Sequence, residues 1–382
     1  MDFSKVKPWN SGEYPVVINN IRFNQDYTLL TLATSRGYKI FSSKTLMKVQ
    51  EETELVRDFG NLNIVMTYYS SNIVFFTAKK NNPNISTKEL IIFDDFTQKK
   101  ISNFTSKEEN IIDFYVSKNA IFIGLQNKVV ILELLSMKII NIIENIEINN
   151  KLLSYNNYNI IAYTLQKMNK KIFIEYYYFN EHIIDRIEKK FIKTSFDYAQ
   201  LIKISPSGSF IAVVSLIGSK IHIYNIANNK LIECILIGTK IYNIEKLSFI
   251  NKKENYILIN INNKKISIYK LNKKYIIEGI NKNNIKDAKC VCCKYNDDDI
   301  INGRIKLDNN FSFFDYFWVT KNQDIKESHV SVMVPNLILF SEFFFIYTKS
   351  FVIIDKIGYY YIYFFLKEKT NRLPPFNSCK WI

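Results

Sequence analysis

The chain has 382 residues, of which 47% are hydrophobic and 23% are charged, so it can bury a large core and is not an intrinsically disordered protein. Lys and Arg outnumber Asp and Glu by 51 to 36, which gives a net charge of +15. This excess favours an anionic partner, such as nucleic acid, an acidic protein or an anionic membrane leaflet. The alternative is a lysine content raised by an AT-rich genome, without functional meaning.

The chain shows no sign of a secreted or membrane-spanning protein. Its five cysteines are odd in number and are not spaced like a disulfide framework, which favours a reducing compartment. The first residues, MDFSKVKPWNSGEYP, lack the apolar core of a signal peptide. The most apolar tract, Leu337–Leu366, is interrupted by charged residues and alternates in hydrophobicity, so it predicts buried strands instead of a membrane span.

Short apolar runs separated by turn residues recur along the chain, which is typical of a repetitive all-β fold. Sets of three or four runs repeat with a period of roughly 40 to 50 residues, as the blades of a β-propeller do. Seven sets predict a single domain over residues 1–382, a seven-bladed WD40-like propeller, although the Trp-Asp and Gly-His marks of WD repeats are absent. The predicted strands are Val16–Phe23, Leu29–Thr34 and Gly37–Phe41; Ile64–Tyr69, Ile73–Thr77 and Leu90–Phe93; Ile111–Val116, Ala120–Leu125, Val129–Leu134 and Lys138–Ile143; Lys151–Tyr155, Asn159–Leu165, Lys171–Phe179 and His182–Ile187; four strands within Ser205–Gly238; Ile244–Ile250, Tyr256–Asn260 and Lys265–Leu271; and Val330–Val334, Leu337–Phe340, Phe351–Asp355 and Tyr359–Leu366.

Two local features refine this prediction. Only 10 glycines are present, so asparagine is expected to take left-handed turn positions in pairs such as Asn228-Asn229 and Asn262-Asn263. Residues 272–310 have no strand pattern and are predicted to be a flexible loop within the sixth blade, with the returning strand near Phe311–Thr320.

Several motifs resemble the PROPPIN family, the phosphoinositide-binding seven-bladed propellers of autophagy. The segment IRFNQDYTLLTLATSRGYKIFS (Ile21–Ser42) is similar to the family's opening blade, with its Phe-Asn-Gln-Asp motif and a later Gly-Tyr pair. Ile111–Glu144 ends like the family's third blade, and Ser207–Tyr224 is similar to its fifth. Locally, Asn24 and Asp26 are expected to bind their own turn backbone, so this motif also has a structural explanation.

The resemblance implies a lipid site at the end of the fifth blade. The family binds phosphatidylinositol 3-phosphate, and often the 3,5-bisphosphate, in two pockets that flank a Phe-Arg-Arg-Gly motif, because guanidinium groups match phosphate oxygens. Here the motif position reads Ile235–Gly238, and only the glycine is kept. Losing one charge-assisted hydrogen bond costs about 1.5 to 3 kcal/mol, so each pocket would lose more than about tenfold in affinity.

Other residues implied by the resemblance could keep part of this site. The family's histidine falls near Ser195, and its hydroxyl residues fall on serines of the fifth and sixth blades. Lysines could replace the arginines, since segment 251–294 holds eleven Lys against three acidic residues, and each lysine near an anionic surface is worth about 1 kcal/mol. The alternative is a solvated lysine-rich loop. The predicted lipid-binding residues are Ser215, Ser219, Gly238, Lys240, Lys264, Lys265 and Ser267.

The resemblance also implies a loop of the sixth blade that inserts apolar side chains into the bilayer. The candidate residues on that loop are Lys273, Lys274, Tyr275, Ile276 and Ile277. The aromatic run from Phe311 to Trp318 is richer, but its alternation favours a buried strand.

No catalytic or metal motif is present in the sequence. Cys290, Cys292 and Cys293 lie close together, but no paired histidine motif accompanies them, so free thiols are expected instead of zinc. There is no phosphate-binding glycine loop and no nucleophile elbow. We therefore predict a non-enzymatic monomer without cofactor or metal, and no RNA-binding signature accompanies its basic residues.

Two functions remain open. The first is a PROPPIN-like peripheral membrane adaptor in autophagy or endomembrane traffic, which binds phosphatidylinositol 3-phosphate or anionic lipid weakly and recruits partners such as an Atg2-like lipid-transfer protein. It would be cytoplasmic and associate with endosomal, vacuolar or pre-autophagosomal membranes. The alternative is a propeller scaffold that has lost phosphoinositide binding and acts through protein contacts alone.

Overall fold

A computed structural model describes residues 17–42, 55–146, 151–165, 170–196, 198–250, 256–262, 265–271, 329–333, 350–354, 359–364 and 379–380. All regular secondary structure in these ranges consists of β-strands, which form six sheets of four strands and one sheet of three. None of the described residues forms an apolar helix long enough to cross a bilayer.

The first three sheets lie between residues 18 and 144, and in each one the strands are hydrogen-bonded in chain order. Their strands are β1 (Ile18–Phe23), β2 (Leu29–Thr34), β3 (Gly37–Ser42) and β4 (Leu55–Arg57); β5 (Leu62–Thr67), β6 (Ile73–Ala78), β7 (Glu89–Asp94) and β8 (Lys99–Thr105); and β9 (Asp113–Val116), β10 (Ala120–Gly124), β11 (Lys128–Glu133) and β12 (Ile139–Glu144).

The remaining four sheets follow the same antiparallel order. Their strands are β13 (Leu153–Tyr155), β14 (Ile160–Tyr163), β15 (Lys171–Asn180) and β16 (Ile183–Lys193); β17 (Ala199–Ile204), β18 (Phe210–Ser215), β19 (Lys220–Asn225) and β20 (Lys230–Leu236); β21 (Ile244–Ile250), β22 (Tyr256–Ile261), β23 (Lys265–Lys270) and β24 (His329–Met333); and β25 (Ser350–Ile354), β26 (Tyr359–Phe364) and β27 (Cys379–Lys380).

Consecutive sheets pack face to face, as propeller blades do. Five apolar clusters fill the spaces between the first six sheets, one cluster for each consecutive pair. The first strands of neighbouring sheets also contact each other, β1 with β5, β5 with β9, β13 with β17, and β17 with β21. Because each middle strand is covered on both faces, strands such as β10 and β18 are buried at every residue. The predicted all-β propeller arrangement is therefore confirmed.

The centre of the sheet arrangement is held by contacts between distant segments. Arg22 of β1 donates hydrogen bonds to the Asp113 carboxylate and to the carbonyl of Phe114, both on β9. The Gln25 amide nitrogen donates to the Val116 carbonyl at 2.8 Å. Asn157, in the turn after β13, donates to the Gln25 carbonyl at 3.0 Å. The first sheet is thus fixed to the third and fourth sheets.

The turn chemistry agrees with the sequence prediction. Asn229 and Asn262 have φ angles of 57° and 52°, so asparagine does take left-handed positions in both predicted pairs. In the opening motif, the Asn24 side chain accepts a hydrogen bond from the Leu29 amide at 3.0 Å. Asp26 accepts one from the Thr28 amide at 3.2 Å. The Phe-Asn-Gln-Asp motif therefore builds its own turn, as predicted.

Three strand assignments require correction. The fifth sheet takes its first strand, β17, from Ala199–Ile204, so Ser205–Gly238 holds three strands and not the predicted four. The fourth strand of the sixth sheet is β24, whose His329 faces Tyr269 and whose Met333 faces Lys265. The prediction gave this place to Phe311–Thr320, which lies outside the described residues, and gave residues 330–334 to the seventh blade. Alternation identifies a strand but does not say which sheet it joins, and a long connection removes the clue of proximity.

Outer strands such as β4 and β8 were missed, and β16 was predicted too short. β8, with the sequence KKISNFT, alternates between exposed and half-buried residues and is not apolar enough to stand out. β4 has only three residues, and β16 continues to Lys193, beyond the predicted Ile187. Outer strands are covered on one face only, so their composition is closer to that of loops.

Candidate functional site

The predicted lipid-binding residues of the fifth sheet lie around a tight turn that joins β18 to β19. Gly218 takes a φ of 68° in this turn, and its amide donates to the Ser215 carbonyl at 2.8 Å. The Ser215 hydroxyl accepts a hydrogen bond from the Lys220 amide at 3.2 Å. The Ser215 side chain thus serves the turn, and it is buried.

The connection from the fifth to the sixth sheet is bound to the same turn. The Tyr242 amide donates to the Ile217 carbonyl, and the Ile237 amide donates to the Ser219 carbonyl, both at 2.8 Å. The Gln200 amide nitrogen donates to the carbonyls of Leu216, at 3.2 Å, and Tyr242, at 3.1 Å. Segments 198–200, 215–220 and 237–245 therefore form one hydrogen-bonded unit, which we call the fifth–sixth junction.

Tyr242 explains why both glycines of the junction are glycines. A Cβ atom on Gly218 would lie 2.0 Å from the Tyr242 carbonyl oxygen. A Cβ atom on Gly238 would lie 2.5 Å from the Tyr242 hydroxyl oxygen. Both distances are far below van der Waals contact, so no side chain fits at either position unless its surroundings move. The one residue kept from the family's lipid-binding motif therefore has a packing role, with Tyr242 directly over it.

The sequence-predicted residues are only partly brought together. Ser215, Ser219, Gly238 and Lys240 all lie in the fifth–sixth junction, where Lys240 is exposed and both serines are buried. Ser267 lies on β23 of the next sheet, is fully buried and hydrogen-bonds Tyr269. The hydroxyl groups are thus enclosed and do not line an open pocket.

The side chains of the other predicted lysines lie outside the described part of the structure. Lys265 starts β23 and pairs with Ile261 and Met333 through its backbone, but its side chain is not among those described. Lys264, Lys273, Lys274, Tyr275, Ile276 and Ile277 lie outside the described residues. Their roles stay predictions.

A buried histidine, which the sequence comparison did not select, lies beside Ser195. His222 on β19 has its Nδ1 atom 3.1 Å from the Ser195 hydroxyl and 3.3 Å from the Tyr224 hydroxyl. Its ring packs on Phe196 with centroids 4.1 Å apart. Burial, with a smaller contribution from Lys220, lowers the pKa of His222 to about 4. The imidazole is neutral near pH 7 and offers no cation to a phosphate.

The described part of the chain contains no group of His, Cys, Asp and Glu side chains arranged for a metal ion. Cys234 lies buried on β20 and forms no disulfide bond with another described residue. Cys290, Cys292 and Cys293 lie outside the described residues, so the expected absence of a metal stays a prediction.

Comparison with known proteins gives a consistent group of relatives, although no family model matches the chain. Autophagy-related protein 18 of Saccharomyces cerevisiae is 28% identical over 127 residues, which are 33% of this chain and 24% of the relative. SVP1-like protein 2 of Schizosaccharomyces pombe is 30% identical over 84 residues, 22% of each chain. The matched part spans about a quarter of the length of these curated relatives.

Solved structures extend the likeness of the fold over nearly the whole chain. Hsv2 of Kluyveromyces lactis superimposes with a TM-score of 0.66 at 12% identity and covers 91% of this chain and 93% of its own. Atg21, solved in complex with the coiled-coil of Atg16, gives a TM-score of 0.61 at 17% identity and covers 95% and 98%. The resemblance to the PROPPIN family is therefore confirmed by relatives in sequence and neighbours in structure.

Proposed function

We propose that this chain is a non-enzymatic, PROPPIN-like adaptor of autophagy and endomembrane traffic that contacts anionic membranes peripherally and recruits partner proteins. One observation carries the proposal: a propeller whose sequence relatives are autophagy-related proteins. The proposal includes a single seven-bladed domain over residues 1–382 with the segment 272–310 as a loop of the sixth blade. It also includes a cytoplasmic location at endosomal, vacuolar or pre-autophagosomal membranes.

The proposed lipid binding depends on charge and does not select a headgroup. The junction has no arginine, and its two serine side chains are enclosed. The predicted lysines proposed to face an anionic surface are the exposed Lys240 together with Lys264, Lys265, Lys273 and Lys274. Lysine is a point charge and cannot match a phosphate in the bidentate manner of arginine. We therefore expect weak, salt-sensitive binding, with Tyr275, Ile276 and Ile277 as the proposed membrane loop.

Partner recruitment is the second part of the proposal. The neighbouring Atg21 was solved with a coiled-coil of Atg16, so a propeller of this fold can present a protein-binding surface. An Atg2-like lipid-transfer protein is the partner proposed for this chain.

A specific observation also favours the second candidate, a scaffold without lipid recognition. Tyr242 lies over Gly238, at the place where the family has its arginine motif. The tyrosine occupies space that a bound headgroup would need, which favours a function without headgroup binding at this place.

Vesicle co-sedimentation separates the two functions. We would compare vesicles of phosphatidylcholine alone with vesicles that also contain phosphatidylserine or phosphatidylinositol 3-phosphate at matched charge. We expect equal, salt-sensitive binding to both anionic vesicles, lowered about fivefold for each lysine removed in Lys264→Ala/Lys265→Ala. The control is Lys99→Ala/Lys107→Ala, which removes two exposed lysines of the second sheet and its following turn.

The outcomes have distinct meanings. Preference for the 3-phosphorylated lipid at equal charge would show a specific pocket and contradict the charge-driven mode. Binding that is absent from every vesicle would contradict the membrane role and leave the scaffold as the function. An equal loss in both lysine pairs would show that the position of the lysines does not matter.

A further inference from the structure

Four large apolar side chains stand exposed together on the fifth–sixth junction. Leu216 is 56% exposed and Ile217 is 48% exposed, both in the turn between β18 and β19. Ile241, in the connection to β21, is 80% exposed, and Tyr198, just before β17, is 52% exposed. We call these four residues the apolar patch. Single exposed apolar residues are common, but a contiguous group at turn tips calls for an explanation.

Backbone hydrogen bonds place the four residues side by side. The Leu216 amide donates to the Tyr198 carbonyl at 3.1 Å. The Tyr242 amide, next to Ile241, donates to the Ile217 carbonyl at 2.8 Å. Gln200 bridges the carbonyls of Leu216 and Tyr242 at 3.2 and 3.1 Å. Three chain segments therefore hold the patch in a fixed arrangement, so its exposure does not come from a frayed loop.

The charges around the apolar patch are basic. Lys220 and Lys240 are exposed beside it, and neither has an ion-pair partner among the described residues. Glu245 is the only acidic residue in the three segments, and Lys151 neutralises it through an ion pair of 2.9 Å. An apolar centre flanked by unpaired lysines complements a surface with negative charge outside and hydrocarbon beneath.

We propose that the apolar patch is a membrane-insertion surface, in which Leu216, Ile217 and Ile241 enter an anionic lipid leaflet, Tyr198 lies at its interface, and Lys220 and Lys240 contact the headgroups. The high exposure of these side chains leaves them available to enter a lipid leaflet, as insertion requires. The inference rests on the proposed membrane role. It differs from that role in its residues, because the proposed membrane loop names residues 273–277 and the apolar patch names four others.

The test compares two triple variants on vesicles of phosphatidylcholine with phosphatidylserine. The patch variant is Leu216→Ser/Ile217→Ser/Ile241→Ser. The control is Ile101→Ser/Ile139→Ser/Ile183→Ser, which removes three aliphatic residues of β8, β12 and β16 with exposures of 55%, 56% and 70%. Partial burial of one such side chain is worth about a fivefold change in binding, so we expect the patch variant to bind about 100-fold more weakly and the control to bind like wild type.

A second measurement detects insertion directly. In the variant Ile241→Trp, the added fluorescence should shift to shorter wavelength on anionic vesicles and be quenched by brominated lipid tails, relative to wild type with its own three tryptophans. Wild-type binding together with an unchanged patch variant and no added quenching would overturn the inference and leave the membrane role intact. Absence of wild-type binding would overturn both.

Discussion

The centre of the sheet arrangement and the fifth–sixth junction both join segments that are distant in sequence, but they use different groups. At the centre, the contacts are made by side chains, chiefly Arg22 with Asp113. In the junction, backbone amides and carbonyls make most of the contacts, and the two glycines leave room for Tyr242. A contact between two side chains can be replaced by another pair of side chains. Where two backbones lie in contact, there is no space for a Cβ atom, so only glycine fits. The junction should therefore tolerate fewer substitutions than the centre.

The largest effect is expected at Gly218. Gly218→Ala would place a methyl group 2.0 Å from the Tyr242 carbonyl oxygen at a φ of 68°, and both the clash and the left-handed backbone are unfavourable. The free energy of unfolding should fall by about 4 kcal/mol in urea denaturation. Gly124→Ala is the matched control, because its added Cβ would have neighbours no closer than 3.4 Å, which is ordinary contact. Equal losses of unfolding free energy in the two variants would contradict the close contact between residue 218 and Tyr242.

At the centre, Asp113→Ala should destabilise the fold by about 3 kcal/mol, because it leaves the Arg22 guanidinium partly buried without its carboxylate. The double variant Arg22→Met/Asp113→Leu should recover much of this loss, since a paired apolar replacement removes both charges. Lys190→Ala, which breaks the more exposed ion pair with Glu188, should cost less than about 1 kcal/mol. If the double variant is no more stable than Asp113→Ala, side-chain replacement at the centre is not tolerated in the way that the comparison predicts.

Acid should weaken the fifth sheet through His222. Its pKa is about 4 in the fold and about 6.5 in the unfolded chain, so the unfolded state takes up the proton first. The stabilising contribution is complete above pH 6.5 and is lost as the pH falls from about 6.5 to about 4, for a total of about 3 kcal/mol. His222→Gln should remove this part of the pH dependence in urea denaturation at several pH values. His182→Gln, at an exposed position, should not change the profile.

A smaller effect than at Gly218 is expected at Gly238, where Gly238→Ala should cost about 2 kcal/mol through contact with the Tyr242 hydroxyl. Tyr242→Phe should partly rescue this variant, because it removes the oxygen atom that the methyl group meets. The same change should not rescue Gly218→Ala, whose clash is with the backbone of residue 242. Rescue of both variants, or of neither, would contradict the assigned contacts.

The part of the fold that could be predicted from the sequence is the part buried on both faces. The middle strand β10, Ala120–Gly124, is buried at every residue and was predicted as Ala120–Leu125, with nearly correct bounds. Outer strands such as β8 are half-buried on one face and exposed on the other, so their sequences are hard to distinguish from those of loops. The opening turn was predictable because Asn24 and Asp26 bind neighbouring amides, a purely local effect.

The sequence could predict which residues of the candidate site lie together, but not that its serine side chains are buried. The resemblance located Gly238 and the two serines of the fifth sheet, and the structure brings them together. Tyr242, which crowds Gly218 and Gly238, approaches from the next connection through a backbone hydrogen bond to Ile217. No local sequence pattern around Tyr242 predicts that contact. The apolar patch was missed for a similar reason, since Tyr198, Leu216 and Ile241 are neighbours only in the folded chain.

The pairing of β23 with β24 has a consequence for how this chain can change in length. Tyr269 faces His329 across the two strands, so the chain leaves the sixth sheet and re-enters it at adjacent positions. Both ends of the intervening stretch are therefore fixed by the sheet itself, whatever its number of residues. Doubling a closed stretch of this kind costs only about 0.6 kcal/mol of chain entropy. Insertions and deletions can accumulate there while the register of every other strand stays the same.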